Sequence, residues 1–69
     1  MKLRDYTEIE LEVFRTYCNF TDDELQYFNL KAKDHSNISI SLTMNISTSQ
    51  VSKLAKRVNS KISRLIKNN

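Results

Sequence analysis

The chain has no glycine, no proline and no tryptophan, and only one cysteine and one histidine among 69 residues. Without glycine or proline, its helices cannot be ended by the usual breakers, so capping side chains must mark their limits. Cys18 stands alone and cannot form an internal disulfide, and with His35 as the sole histidine it cannot complete a zinc site. No apolar run approaches the roughly 18 residues of a membrane span. No apolar stretch follows Lys2 and Arg4, so no secretory leader is expected and a reducing cytoplasm is the expected compartment. There is also no paired nucleophile and base, no glycine loop and no metal-ligand cluster. No catalytic residue, metal or cofactor is therefore assigned, and a core this small leaves little room for a deep active-site pocket.

Acid is missing from one whole half. Asp5, Glu8, Glu10, Glu12, Asp22, Asp23, Glu24 and Asp34 all precede residue 35. Five bases accompany those eight acids (Lys2, Arg4, Arg15, Lys31, Lys33), giving −3; six bases and no acid follow (Lys53, Lys56, Arg57, Lys61, Arg64, Lys67), giving +6. An acid-free basic half is the electrostatic footprint of a polyanion-binding surface. Charge alone is equally compatible with a solvated lysine-rich face.

Against these absences stand three repeats of one local pattern. Thr7-x-x-Glu10, Thr21-x-x-Glu24 and Ser47-x-x-Gln50 each have the capping-box form. The hydroxyl accepts the N3 amide hydrogen, and the longer side chain accepts that of the cap residue. Tyr6 and Leu11, Phe20 and Leu25, and Ile46 and Val51 supply the flanking apolar pairs. The first helix is expected over about Glu8 to Cys18, with Tyr6, Ile9, Val13 and Tyr17 on one face, Phe14 beside it, and Leu11 and Cys18 on the far side. The second is expected over Asp22 to about Lys33, with acids in its first turn and lysines in its last. It has two apolar faces, Leu25, Phe28 and Ala32 on one and Tyr27 and Leu30 on the other, which makes it central. The aromatic residues are read as core. Cys18 is read as a half-buried apolar residue, and His35 as a solvent-facing residue at a helix C-terminus.

The last helix is expected from Thr48 to about Lys67. Val51, Leu54, Ala55, Val58, Ile62, Leu65 and Ile66 fill an arc of about 120°. Ser49, Lys53, Lys56, Ser60, Arg64 and Lys67 lie opposite, flanked by Arg57 and Lys61. Residues 36–47 are ambiguous. Ile38, Ile40, Leu42, Met44 and Ile46 alternate with polar residues in a strand period, yet no second alternating run exists to pair with them. The alternative is a short helix capped by Ser36 and ending near Met44, with Ile40 and Met44 inward and Ile38 and Leu42 as a second stripe.

From Phe20 to Ser63, about two-thirds of the chain, the sequence resembles the helix-turn-helix domain of LuxR-type regulators. The residues that carry this are Phe20-Thr21-x-x-Glu24, Leu30, Asp34, Ser36-Asn37, Ile40, Met44, Ile46-Ser47, Val51 and Lys61. The most specific part is Ile40-x-x-x-Met44-x-Ile46-Ser47-x-x-x-Val51. Region 4 of sigma factors shares much of the pattern. Together with the capping pattern, which supplies the first helix, the resemblance implies a single all-α helix-turn-helix domain over 1–69, with helices at about 8–18, 22–33, 37–44 and 48–67. The scaffold helix is 37–44, with Ser41 at its small-residue position and Asn45 in the turn, where glycine is common. The long C-terminal helix is the recognition helix. The chain departs from the family in its extra N-terminal helix, in Lys31 at a usually apolar position, and in lacking the further C-terminal helix and any receiver or ligand-sensing domain.

The function this implies is a small DNA-binding transcriptional regulator that places helix 48–67 in the major groove of double-stranded DNA. Thr48, Ser49, Gln50, Lys53, Lys56, Arg57, Lys61 and Arg64 are the expected DNA-binding residues. Ser49, Gln50 and Lys53 are the base readers, although Gln50 reads a base only by leaving its capping role. Thr48 lies near a phosphate, and Lys56 and Arg57 lie at the groove edge. Lys61, Arg64 and Lys67 reach phosphates or remain in solvent. The alternative is a protein-interaction module like sigma region 4, binding RNA polymerase or another regulator. A homodimer is expected through Leu11 and Cys18, or through Ile38 and Leu42. No membrane partner is expected.

Overall fold

A computed structural model describes residues 3–67, apart from the side chain of Arg4. Lys2 and the Arg4 side chain, counted among the N-terminal bases, therefore lie outside the described residues. A single 3-10 turn, Leu3–Asp5, precedes four helices: α1 Glu8–Tyr17, α2 Asp22–Ala32, α3 Asn37–Met44 and α4 Thr48–Lys67. They form an all-α domain measuring 34 × 19 × 18 Å. The described residues include no strand and no helix long and apolar enough to cross a membrane.

The caps set the boundaries. Thr7 and Thr21 form reciprocal boxes with Glu10 and Glu24. Ser47 and Gln50 do the same at the start of α4, each amide hydrogen bond measuring 3.2 Å. At α3, Ser36 Oγ accepts the Ser39 amide at 3.1 Å. Among the described residues, positive φ occurs at Asn19 (55°), Asp34 (68°) and Asn45 (58°), each just beyond a helix end. In a chain without glycine these left-handed positions fall to Asn and Asp, whose short side chains tolerate the conformation best. After Asp34, the His35 amide returns to the Leu30 carbonyl and the Asp34 amide to that of Lys31, closing a Schellman motif.

The alternating segment folds as helix. Ile40 is fully buried and Met44 partly so, while Ile38 and Leu42 are 67% and 77% exposed. A strand here would have no partner for its amides, whereas the Ser36 cap and the left-handed Asn45 satisfy both helix ends.

α2 lies at the centre, packed on α4, on α3 and on the 3-10 turn. Phe28 is wholly buried and Tyr27 nearly so. Burial pushes the Tyr27 hydroxyl pKa up. A chain of rings joins the first half of the domain: Tyr6 meets Phe14 edge-on at 5.0 Å, Phe14 meets Phe28 edge-on at 6.3 Å, and Phe20 tilts over Phe28 at 5.1 Å. Burying such side chains contributes about 1.5–3 kcal/mol each.

α1 corrects the sequence expectation. Leu11, Phe14 and Cys18 face the core, while Ile9, Val13 and Tyr17 face outward. Tyr17 is thus an exception among aromatics otherwise buried or half-buried. The reason lies in the ends of the helix. The Thr7 box fixes where the helix starts, with Tyr6 packed against the core just before it, and the short link to α2 begins at Cys18, so the face holding Leu11, Phe14 and Cys18 turns inward. Arg15 reinforces this orientation, its Nε donating to Asn29 Oδ1 at 2.8 Å and its guanidinium lying 5.5 Å from the Phe28 ring centre. Leu11 and Cys18 are therefore closed to a second copy of the chain. Burial also pushes the Cys18 thiol pKa up, against a smaller downward pull from Lys61, so the thiolate is scarce. His35 is half-buried rather than solvent-facing, and its Nδ1 lies 3.0 Å from Ser39 Oγ. Ile66, placed in the apolar arc of α4, is 49% exposed near the helix end.

Candidate nucleic-acid interface

α4 begins where the Asn45 turn redirects the chain. The Ile46 amide donates to the Ser41 carbonyl at 3.0 Å. Ile46 packs against the core and Val51 is fully buried. Val51, Leu54, Val58 and Ile62 then hold the helix against the domain along most of its length. Its twenty residues, at about 1.5 Å each, extend roughly 30 Å.

The opposite face is open. Thr48, Ser49, Gln50, Lys53, Lys56, Arg57, Arg64 and Lys67 are all exposed. Lys53, Lys56, Arg57, Arg64 and Lys67 take part in none of the salt bridges found among the described residues. Their charges therefore reach solvent unneutralised. Gln50 is committed to the helix cap, with its Oε1 accepting the Ser47 amide. An open groove of about 310 Å³ runs along the first turns of α4, where Gln50, Lys53 and Arg57 meet Asp23 and Gln26 of α2. Asp23 lines the same groove but forms none of the salt bridges found among the described residues.

Lys61 differs from the other cations, and here the sequence expectation needs correction. Its ammonium neither faces a free surface nor stands ready for a phosphate. It donates to Glu24 Oε1 and, at 3.1 Å, to the Asn19 carbonyl. It also lies 6.0 Å from the centre of the Phe20 ring. Glu24 is the one buried charged residue among those described. Burial by itself would raise its carboxyl pKa, but the Lys61 and Thr21 hydrogen bonds and the Lys61 charge outweigh burial and lower it. The pair ties the α1–α2 corner to α4. Glu24 was legible as a cap residue, but its partner 37 positions away was not. The available hint was that Lys61 flanks the apolar arc rather than standing opposite it.

Among the described residues, no group of His, Cys, Asp and Glu side chains is arranged to hold a metal ion. Comparisons with protein-family models, with curated proteins and with solved structures give no match to this chain.

Proposed function

We propose that this chain is a small helix-turn-helix transcriptional regulator that lays α4 in the major groove of duplex DNA. The observation that carries the reading is the outward face of α4, whose exposed lysines and arginines are unpaired on a helix with no acid at all. Such a face attracts phosphates and releases counterions on binding. The arrangement of α3, the left-handed turn and a capped α4 supports it, as does the resemblance to LuxR-type domains.

The groove is about 12 Å wide, so only the first turns of α4 reach base edges. Ser49 and Lys53 are the base readers, joined by Gln50 if DNA draws it from its cap. Thr48 approaches a phosphate, Lys56 and Arg57 hold the groove edges, and Arg64 lies further along the backbone. A homodimer reading two half-sites would use Ile38 and Leu42, the expected patch that remains exposed. The reading requires no metal, cofactor or catalytic group and places the protein in the cytoplasm.

Binding to a randomised duplex library at two salt concentrations tests the proposal. Lys53→Ala should change preference at one base position by about 1–3 kcal/mol. Arg57→Ala should weaken all sequences alike and reduce the salt slope by about one phosphate. If wild-type protein binds no duplex, or neither substitution changes affinity, the regulator reading fails and a module that binds RNA polymerase takes its place.

A further inference from the structure

The outward face of α1 has no role in the core and none in the proposed DNA contact. Ile9, Val13 and Tyr17 are spaced four residues apart, so they form one stripe. They are 79%, 40% and 69% exposed. Three large apolar side chains in line on a ten-residue helix are more than the scattered apolar exposure of an ordinary surface.

The charges around the stripe are acidic. Glu8, Glu10 and Glu12 are all exposed. Arg15, the one cation of α1, is turned toward α2, where it binds Asn29, and it also pairs with Glu12 at 3.0 Å and more loosely with Glu8 at 3.9 Å, which leaves the helix with two net negative charges. Cations come near at two places: Arg15 and Lys33 share a groove with Glu8 and Glu12 on the side toward α2, and at the far end Tyr17 borders a groove shared with Lys61 and Arg64. We infer that this face docks a helical segment of another protein, one with an apolar stripe flanked by lysine or arginine where it passes Glu10 and Glu12. Apolar anchors four residues apart are how a helix is read in a shallow site, and opposite rim charges set its register. At about 15 Å, α1 spans nearly three turns of such a partner.

A second copy of the chain fits less well. An antiparallel pair of α1 helices brings each Glu12 close to its mate. Three side chains cover far less than the ~800 Å² per partner of a stable interface, whichever chain sits on them. The basic face of α4 in another copy supplies cations, but Ile66 is the only large apolar side chain it exposes. The contact is a transient one, and it does not depend on the DNA reading.

The test uses the full chain and a helical peptide with leucines four residues apart, flanked at one end by lysines. A control peptide carries glutamates there instead. Calorimetry should show micromolar binding of the lysine peptide, weakened by salt, and amide shifts should concentrate on α1. The double variant Ile9→Ser, Tyr17→Ser should keep the parental Tm and lose about tenfold or more in affinity. Equal binding of the glutamate peptide, shifts centred elsewhere, or no binding of the lysine peptide would overturn the inference. So would sedimentation showing a dimer of the free chain that this double variant dissolves. A duplex titration run alongside keeps failure of the DNA reading separate.

Discussion

Helices α1 and α4 are both amphipathic, but their outward faces differ in kind. α4 is apolar inside and cationic outside, and one arc of its surface accounts for almost every aliphatic residue. α1 carries two apolar stripes, and only Leu11, Phe14 and Cys18 are buried. The outer stripe is as regular as the inner one, so periodicity alone does not tell them apart. What decides between them is how the helix is joined to its neighbours. The contrast teaches that an apolar stripe is a statement about some interface, and that the caps and links determine whether that interface is internal.

The largest effect should come from α4. Val51→Asp places an unpaired charge where the side chain is fully buried. The loss should be several kcal/mol, most of what a domain of this size possesses. Thermal melting followed by circular dichroism would register it as loss of the cooperative transition. A parental melt would mean that the two helices do not differ as described.

The next prediction sharpens the comparison within α1. Leu11→Ala should cost about 2–5 kcal/mol, whereas Ile9→Ala should stay within about 0.5 kcal/mol. Urea unfolding of both variants measures this. The reverse ranking would restore the face expected from periodicity alone.

The corner where the two regions meet should respond to pH. In the folded protein the Glu24 carboxyl pKa lies below its ordinary value. Its ionised form is therefore favoured by folding, and that contribution is fully present above the ordinary glutamate pKa of about 4.3. It is lost as pH falls through the lower folded value. Glu24→Gln should lose about 1–3 kcal/mol at neutral pH. The gap to wild type should close on acidification and stay constant from neutral to mildly alkaline pH. A gap that persists in acid would assign the loss to packing rather than to the ion pair.

The smallest effect belongs to the turn before α4. Asn45→Ala puts an ordinary side chain at φ 58° and should cost about 1 kcal/mol, while Asn45→Gly should be close to neutral. Equal melting of the two variants would show that the turn does not require the left-handed backbone.

Most of the fold was legible because caps are local. Thr7, Thr21, Ser36 and Ser47 each satisfy amides within a few residues, so the sequence contains the whole interaction. The outward lysines of α4 were legible for the same reason, since the inner arc leaves them one place to go. The buried pair of Glu24 and Lys61 was not, because its partners belong to different helices and each had a plausible role at the surface. Asn19 and Asp34 were missed although Asn45 was found. Asn45 sits in the turn of a helix-turn-helix pattern, while the other two mark helix ends by the same backbone logic with no such pattern around them.

The bond from Lys61 to the α1–α2 corner also governs how the molecule comes apart. A long helix ordinarily frays turn by turn from its ends. Here Lys61 is gripped by Glu24 and the Asn19 carbonyl, and Ile62 beside it is fully buried. Fraying can run inward from Lys67 for little more than a turn before it must also open the corner. The rear of α4 and the junction of the first two helices thus form one cooperative unit, which leaves the exposed front of α4 anchored from behind.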